Sequence, residues 1–106
     1  MKRVAQVIEL RPEKKELYLH LHQNVWSEVL ETIHACNIQN YSIFLKDNLL
    51  FAYFEYVGDD YEKDMKKMAA DPVTQDWWSV CKPCQKPREN RLENEWWTDL
   101  DEVFHT

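Results

Sequence analysis

The fold turns on Tyr41-Ser42-Ile43-Phe44-Leu45, then Lys46-Asp47-Asn48, then Leu49-Leu50-Phe51-Ala52-Tyr53-Phe54. Both arms are rich in aromatic and branched apolar residues. Asp47-Asn48 between them tolerates the positive φ angles of a tight turn, so the stretch predicts an antiparallel hairpin. By alternation, Tyr41, Ile43 and Leu45 share a face of the first arm, and Leu50, Ala52 and Phe54 share a face of the second. A lone hairpin cannot shield such a face from water. It needs more strands and a layer of helices.

Both are legible on either side. Upstream, Val4 to Leu10 reads as a strand. Pro12 and Glu13 then suit the first turn of a helix running to about His22. Asn24 is the expected cap of a second helix, whose Trp26, Val29, Leu30 and Ile33 recur at helical period, with Asn37 as its stop. Downstream of Gly58, Asp59 or Asp60 caps a helix with Tyr61, Met65, Met68 and Ala69 on one side. Asp71-Pro72 starts a short helix carrying Val73, Trp77, Val80 and Cys81. Pro83 and Pro87 make the next segment irregular, and Asp101 to His105 is the expected last strand. Strand, helices, strand, strand, helices, strand amounts to two β-α-β halves. The expected fold is therefore α+β, a ferredoxin-like sandwich with helices on one face of an antiparallel sheet. The bare face of that sheet would be covered by a second copy, so a homodimer is expected.

The chain has 106 residues, enough for one domain spanning residues 1–106 with one modest core. Hydrophobic residues make up 44% and aromatics 13%, which fits a folded globule. Thirteen Lys and Arg against nineteen Asp and Glu give a net charge of −6, which speaks against a nucleic-acid partner. No apolar run approaches the ~20 residues of a membrane helix. The start, Met1-Lys2-Arg3-Val4-Ala5-Gln6, lacks a signal peptide's apolar stretch, so the expected localisation is cytoplasmic. Three cysteines argue against a disulfide framework.

The candidate chemistry centres on Tyr18-Leu19-His20-Leu21-His22. On a helix, Leu17 and Leu21 form one i,i+4 pair and Tyr18 and His22 another, placing two polar rings at the edge of the core-facing stripe. His22 is the sharpest candidate, because imidazole both gives and accepts protons near neutrality. Its bland counterpart is a histidine capping the last carbonyls of its helix. Tyr18 and Tyr41 are candidate hydroxyl readers, or else ordinary core-edge tyrosines. Val73 and Cys81 mark Trp77 as inward-facing, which leaves Trp78 at the border as a possible cleft wall. Trp96-Trp97, beside Glu93, Glu95 and Asp99, read as a dimer or surface anchor. Cys81-Lys82-Pro83-Cys84 has metal or redox spacing but no second ligand pair, and His20 and His22 diverge by about 200° on a helix, so no metal is expected.

Taken together, these residues resemble the L-rhamnose mutarotase family nearly end to end. The resemblance is carried by Tyr18-x3-His22, Val25-Trp26-x-Glu28, Asn40-Tyr41-Ser42-Ile43 and Asn48-Leu49-Leu50-Phe51-Ala52. Asp71-Pro72 leading to Trp77-Trp78, and Glu102-Val103-Phe104-His105, complete it. It implies a dimeric α+β barrel that interconverts the anomers of a deoxyhexose. The residue matching His22 is the proton donor, and those matching Tyr18, Tyr41, Trp77 and Trp78 bind the sugar. No cofactor is implied. Ser27 stands where many members have proline, and the Cys81-x-x-Cys84-Gln85-x-Pro87 segment is shared with only part of the family, which leaves the particular sugar open. The alternatives are a sugar-binding module without turnover and a cofactor-free oxygenase on the same barrel.

Overall fold

The computed structural model describes residues 1–106. Nine elements carry the chain: β1 Lys2–Leu10, α1 Lys15–Leu21, α2 Ser27–Ala35, β2 Ile38–Lys46, β3 Leu49–Tyr56, α3 Tyr61–Ala70, α4 Pro72–Cys81, and the two-residue strands β4 Gln85–Lys86 and β5 Thr98–Asp99. Single 3₁₀ turns, Pro12–Lys14 and Lys82–Cys84, lead into α1 and out of α4.

The hairpin forms as its sequence dictates. Asp47 and Asn48 take φ of 50° and 62° and join β2 to β3 in antiparallel register. β1 pairs with β3 on one side and with β4 and β5 on the other, so the sheet runs β2-β3-β1-β4, the order of a ferredoxin-like sandwich. Inward alternation is strict on β3, where Leu50, Ala52, Phe54 and Tyr56 are all buried. On β2 it needs help. Ile38 and Ile43 differ in parity, yet both belong on the helix side. A register shift between Gln39 and Ser42, with Asn40 at φ 52°, inserts the extra residue that brings both inward. That bulge also carries Tyr41 onto the inner face, against Phe54 at 5.4 Å between ring centroids.

The core has two lobes between sheet and helices. One joins Ile8, Leu10, Leu50 and Val29 to Tyr18, Trp77, Cys81 and Cys84. The other joins Val4, Ile38, Phe54 and Tyr56 to Cys36 and Met68. Asp71 pins the helical layer. Its carboxylate accepts the Thr74 backbone N–H at 2.9 Å and the Thr74 hydroxyl at 2.8 Å, capping α4, and also the Thr32 hydroxyl of α2 at 3.3 Å. These bonds hold the carboxyl below its usual range.

Three local expectations are corrected. Asn24 does not cap the second helix; Trp26 occupies the N-cap position of α2, with no side-chain cap bond, so Ser27 is the first helical residue. α1 is rolled relative to its leucine stripe: Tyr18 is buried, whereas Leu17 is 46% exposed. Tyr18 goes inward because its hydroxyl finds a partner there and its ring covers more area than a leucine. The last strand is Thr98–Asp99, not Asp101 to His105, because pairing along β1 ends with Leu100 N–H donating to the Ala5 carbonyl at 2.8 Å. Beyond it the chain is tied by Arg3 to Glu102 at 2.7 Å, with Val103 and Phe104 exposed. No helix is long and apolar enough to cross a membrane.

Candidate active site

The sheet curls away from the helices along α1, α2 and α4 and leaves a cavity of about 500 Å³. That lies in the range of pockets that enclose small organic ligands, about 300–1,000 Å³. Tyr18 and His22 from α1 and its C-cap, Trp77 and Trp78 from α4 and Tyr41 from β2 all line it. An adjoining recess of about 510 Å³ shares His22, Tyr41 and Trp77 and reaches out to His34 and Asn40.

His22 is the residue at which α1 ends. Its backbone N–H and its Nδ1 both donate to the Tyr18 carbonyl, at 3.2 and 2.9 Å. A carbonyl only accepts, so the neutral ring carries its proton on Nδ1 and keeps a lone pair on Nε2, which makes no hydrogen bond within the protein. The helix-capping and catalytic readings therefore do not exclude one another: one nitrogen caps and the other stays available. The ring stacks on Tyr18 at 4.1 Å and meets the edge of Trp77 at 5.3 Å. Burial among these rings lowers its pKa below 6.5, with the Tyr18 carbonyl opposing. At neutral pH the imidazole is uncharged.

The two phenols are held protonated. Burial pushes the Tyr18 hydroxyl well above its usual range. Tyr41 exposes 39% of its surface along the flank of the bulge, but its hydroxyl sits at the desolvated end of the ring and is pushed up to about 12. Both can donate hydrogen bonds; neither is a base near neutrality. Trp77 is 6% exposed and packs edge-on against Trp26 at 5.1 Å, while Trp78 is half-buried, as their places on α4 predict. Cys81 also lines the cavity, as a thiol that burial drives up to about 12.

The far wall of the cavity is built by residues that local pattern does not single out. Trp96 and Trp97 are no surface anchor: both are half-buried, pack against the core and line the cavity. The Trp96 indole N–H donates to the Gln85 side-chain oxygen at 2.7 Å, and the Gln85 amide nitrogen donates to the Tyr18 hydroxyl at 3.3 Å. Asp99 lies at the rim, accepting from Gln6 at 2.9 Å. Lys82 sits near both the Trp78 and Trp96 rings, at 5.2 and 5.3 Å from their centroids. Trp96 and Gln85 face the helices only because β4 and β5 both pair with β1, a non-local pairing with no signal in local pattern.

The model of the L-rhamnose mutarotase family matches residues 3–106. The L-rhamnose mutarotase of Oceanobacillus iheyensis is 37% identical over 99% of this chain and 98% of its own length. Those of Listeria monocytogenes and Bacillus subtilis, with the same coverage, are 39% and 36% identical. Among solved structures, an L-rhamnose mutarotase from Formosa agariphila superposes with a TM-score of 0.78 at 23% identity, over 100% of this chain and 99% of that one. Tetracenomycin F2 cyclase from Streptomyces glaucescens does so at 0.65 with 17% identity, over 100% and 96%. The fold is that of the dimeric α+β barrels. With its sequence matched almost from end to end by the family model and by these relatives, the chain belongs to the L-rhamnose mutarotase family.

Proposed function

We propose that this protein is an isomerase that interconverts the α and β anomers of L-rhamnose, or of a closely related 6-deoxyhexose, with His22 moving the proton. The observation that carries the proposal is the uncharged His22 ring, tethered through Nδ1 and free at Nε2, inside an aromatic-walled cavity. The family match supports the reaction type.

Anomer exchange is a sequence of proton transfers. Nε2 takes the proton of the anomeric hydroxyl as the bond between C1 and the ring oxygen breaks, its electron pair passing to the ring oxygen. The imidazolium so formed gives that proton to the ring oxygen, and the open-chain aldehyde results. Rotation about C1–C2 presents the other carbonyl face, and the same steps in reverse close the ring. His22 is thus the proton donor to the ring oxygen, having first collected the proton as a base. Both oxygens are bonded to C1, so one nitrogen can serve them in turn. The low pKa of the buried ring favours release of the proton once it is taken up. Trp77 and Trp78 supply apolar faces for the C–H surface and methyl group of a 6-deoxy sugar, and Tyr18 and Tyr41 supply hydroxyls.

The outer sheet face, opposite the cavity, carries Leu49, Phe51 and Tyr53 of β3 beside Phe44 of β2, which is 64% exposed. Such a face supports a homodimer built sheet to sheet. Sedimentation equilibrium should give twice the 12.9 kDa chain mass; a single chain mass at micromolar protein would refute it.

The activity is tested by saturation transfer between the anomeric proton signals of L-rhamnose and L-fucose. Faster exchange with enzyme than with buffer supports the reaction. A ligand-dependent rise in melting temperature without faster exchange would mark a binding module instead, and oxygen consumption on an aromatic substrate would mark an oxygenase.

A further inference from the structure

Gln85 is one of two buried polar residues in the protein; the other, Thr74, is accounted for by the α4 cap. Gln85 stands at the sheet edge, paired with Leu10, and its side chain lies between two rings that line the cavity. Its orientation is fixed by chemistry. An indole N–H can only donate, so the amide atom 2.7 Å from Trp96 Nε1 is the oxygen. The amide nitrogen is then the atom facing Tyr18, and it donates to the phenol oxygen. A phenol has one hydrogen, and here its oxygen is already accepting. No acceptor for the Tyr18 hydrogen exists within the protein.

Resting on the sugar-isomerase proposal above, we propose that Gln85 and Trp96 form a one-way relay that sets the Tyr18 hydroxyl as a hydrogen-bond donor to an oxygen of the bound sugar. Gln85 is a positioning residue: it does not touch the sugar but decides which way Tyr18 presents itself. Successive donors polarise one another, so the Tyr18 hydrogen is a better donor for having Gln85 behind it. The relay also ties substrate recognition to the segment carrying Trp96, because the indole holds the amide from flipping. A ligand oxygen facing Tyr18 must therefore accept. A sugar analogue lacking that oxygen leaves the hydroxyl unpaired and is discriminated against.

The test is Gln85→Glu, which keeps the shape and changes the direction. An ionised carboxylate accepts from Trp96 and from Tyr18 alike, so the phenol hydrogen turns back toward residue 85 and the sugar meets only lone pairs. At neutral pH the KM for anomer exchange should rise about tenfold while the chain stays folded, the scale of one buried hydrogen bond lost. At acid pH the buried carboxyl protonates and becomes an isostere of the amide, accepting from Trp96 through one oxygen and donating to Tyr18 through the other. The deficit relative to wild type should then shrink. His22, Tyr18 and Cys81 line the same cavity, with Lys82, Glu95 and Asp99 at its rim, so the ratio of variant to wild type at each pH is the quantity read. Trp96→Phe, which keeps the ring but frees the amide to flip, should give a smaller loss with no pH dependence, and it carries the test if Gln85→Glu does not fold. An unchanged KM in the folded variant, or a deficit equal at every pH, would overturn the relay and leave the isomerase proposal standing. A wild type that exchanges no pyranose would overturn both.

Discussion

Replacing His22 separates chemistry from packing, because the structure offers two truncations with different consequences. His22→Ala removes Nε2, the Nδ1 bond to the Tyr18 carbonyl and two ring contacts, on Tyr18 at 4.1 Å and Trp77 at 5.3 Å. Aromatic pairs contribute about 0.5–1.5 kcal/mol each, so the half-buried ring should cost about 1–3 kcal/mol of stability when it goes. His22→Asn is milder: its amide N–H lies where Nδ1 does and can still donate to the Tyr18 carbonyl, but the amide neither gives up nor takes on a proton near neutral pH. A positioned acid–base group contributes about 10²–10⁴-fold, or about 2.7–5.4 kcal/mol of barrier at 1.36 kcal/mol per decade. Both variants should lose exchange by that factor above the spontaneous rate, measured by saturation transfer with the buffer rate subtracted. His22→Asn should also melt close to wild type. A folded His22→Asn that exchanges anomers at the wild-type rate would show that another group moves the proton, and the imidazole would revert to a helix cap.

Two further outcomes are expected. Trp77→Ala empties the centre of the cavity wall; loss of a buried tryptophan costs about 3–5 kcal/mol, which urea denaturation should register, and sugar titrations followed by tryptophan fluorescence quenching should show weaker binding in whatever fraction remains folded. Stability should also depend on pH through His22, since its folded-state pKa lies below 6.5: the unfolded chain binds the proton more tightly, so stability is level above about pH 6.5 and declines below it, and His22→Asn should flatten that arm of the melting-temperature profile.

What could be read in the sequence follows the range of the interaction involved. The hairpin turn at Asp47-Asn48, the cap at Asp71 and the inward Trp77 depend on residues within one or two helical turns, and each appears where local pattern puts it. The i,i+4 relation of Tyr18 and His22 is likewise local, and the two rings do stack. The roll of α1 was hidden, because leucine periodicity favours Leu17 inward and only the distant Gln85 makes a buried Tyr18 hydroxyl tolerable. The bulge at Asn40–Tyr41 was hidden too, since it answers to β3, which follows it. The far wall is the extreme case. Gln85 and Tyr18 are 67 positions apart, and the short strands that carry Gln85 inward and Trp96 toward it take their shape from β1, not from their own two residues.

The charge pattern of the finished cavity narrows what it can hold. The inner polar groups most able to bond a ligand are His22, Tyr18, Tyr41 and Gln85. The first is neutral because burial lowers its pKa, the phenols because burial raises theirs, and the last by nature. The cavity's charged groups are of mixed sign and lie toward water, with Lys82 and Asp99 exposed and Glu95 half-buried. An anionic ligand such as a sugar phosphate or a uronic acid would shed its hydration on entering and meet only the exposed Lys82, offset by Glu95 and Asp99, a poor return for that cost. A neutral sugar makes no such demand. It offers oxygens that both accept and donate, and its C–H faces suit the indoles. The same neutrality would serve the proposed chemistry: a proton passing from the hemiacetal to His22 would leave an imidazolium beside a sugar oxyanion, and with no other charge among these inner groups to stabilise either, their attraction favours returning the proton to the ring oxygen.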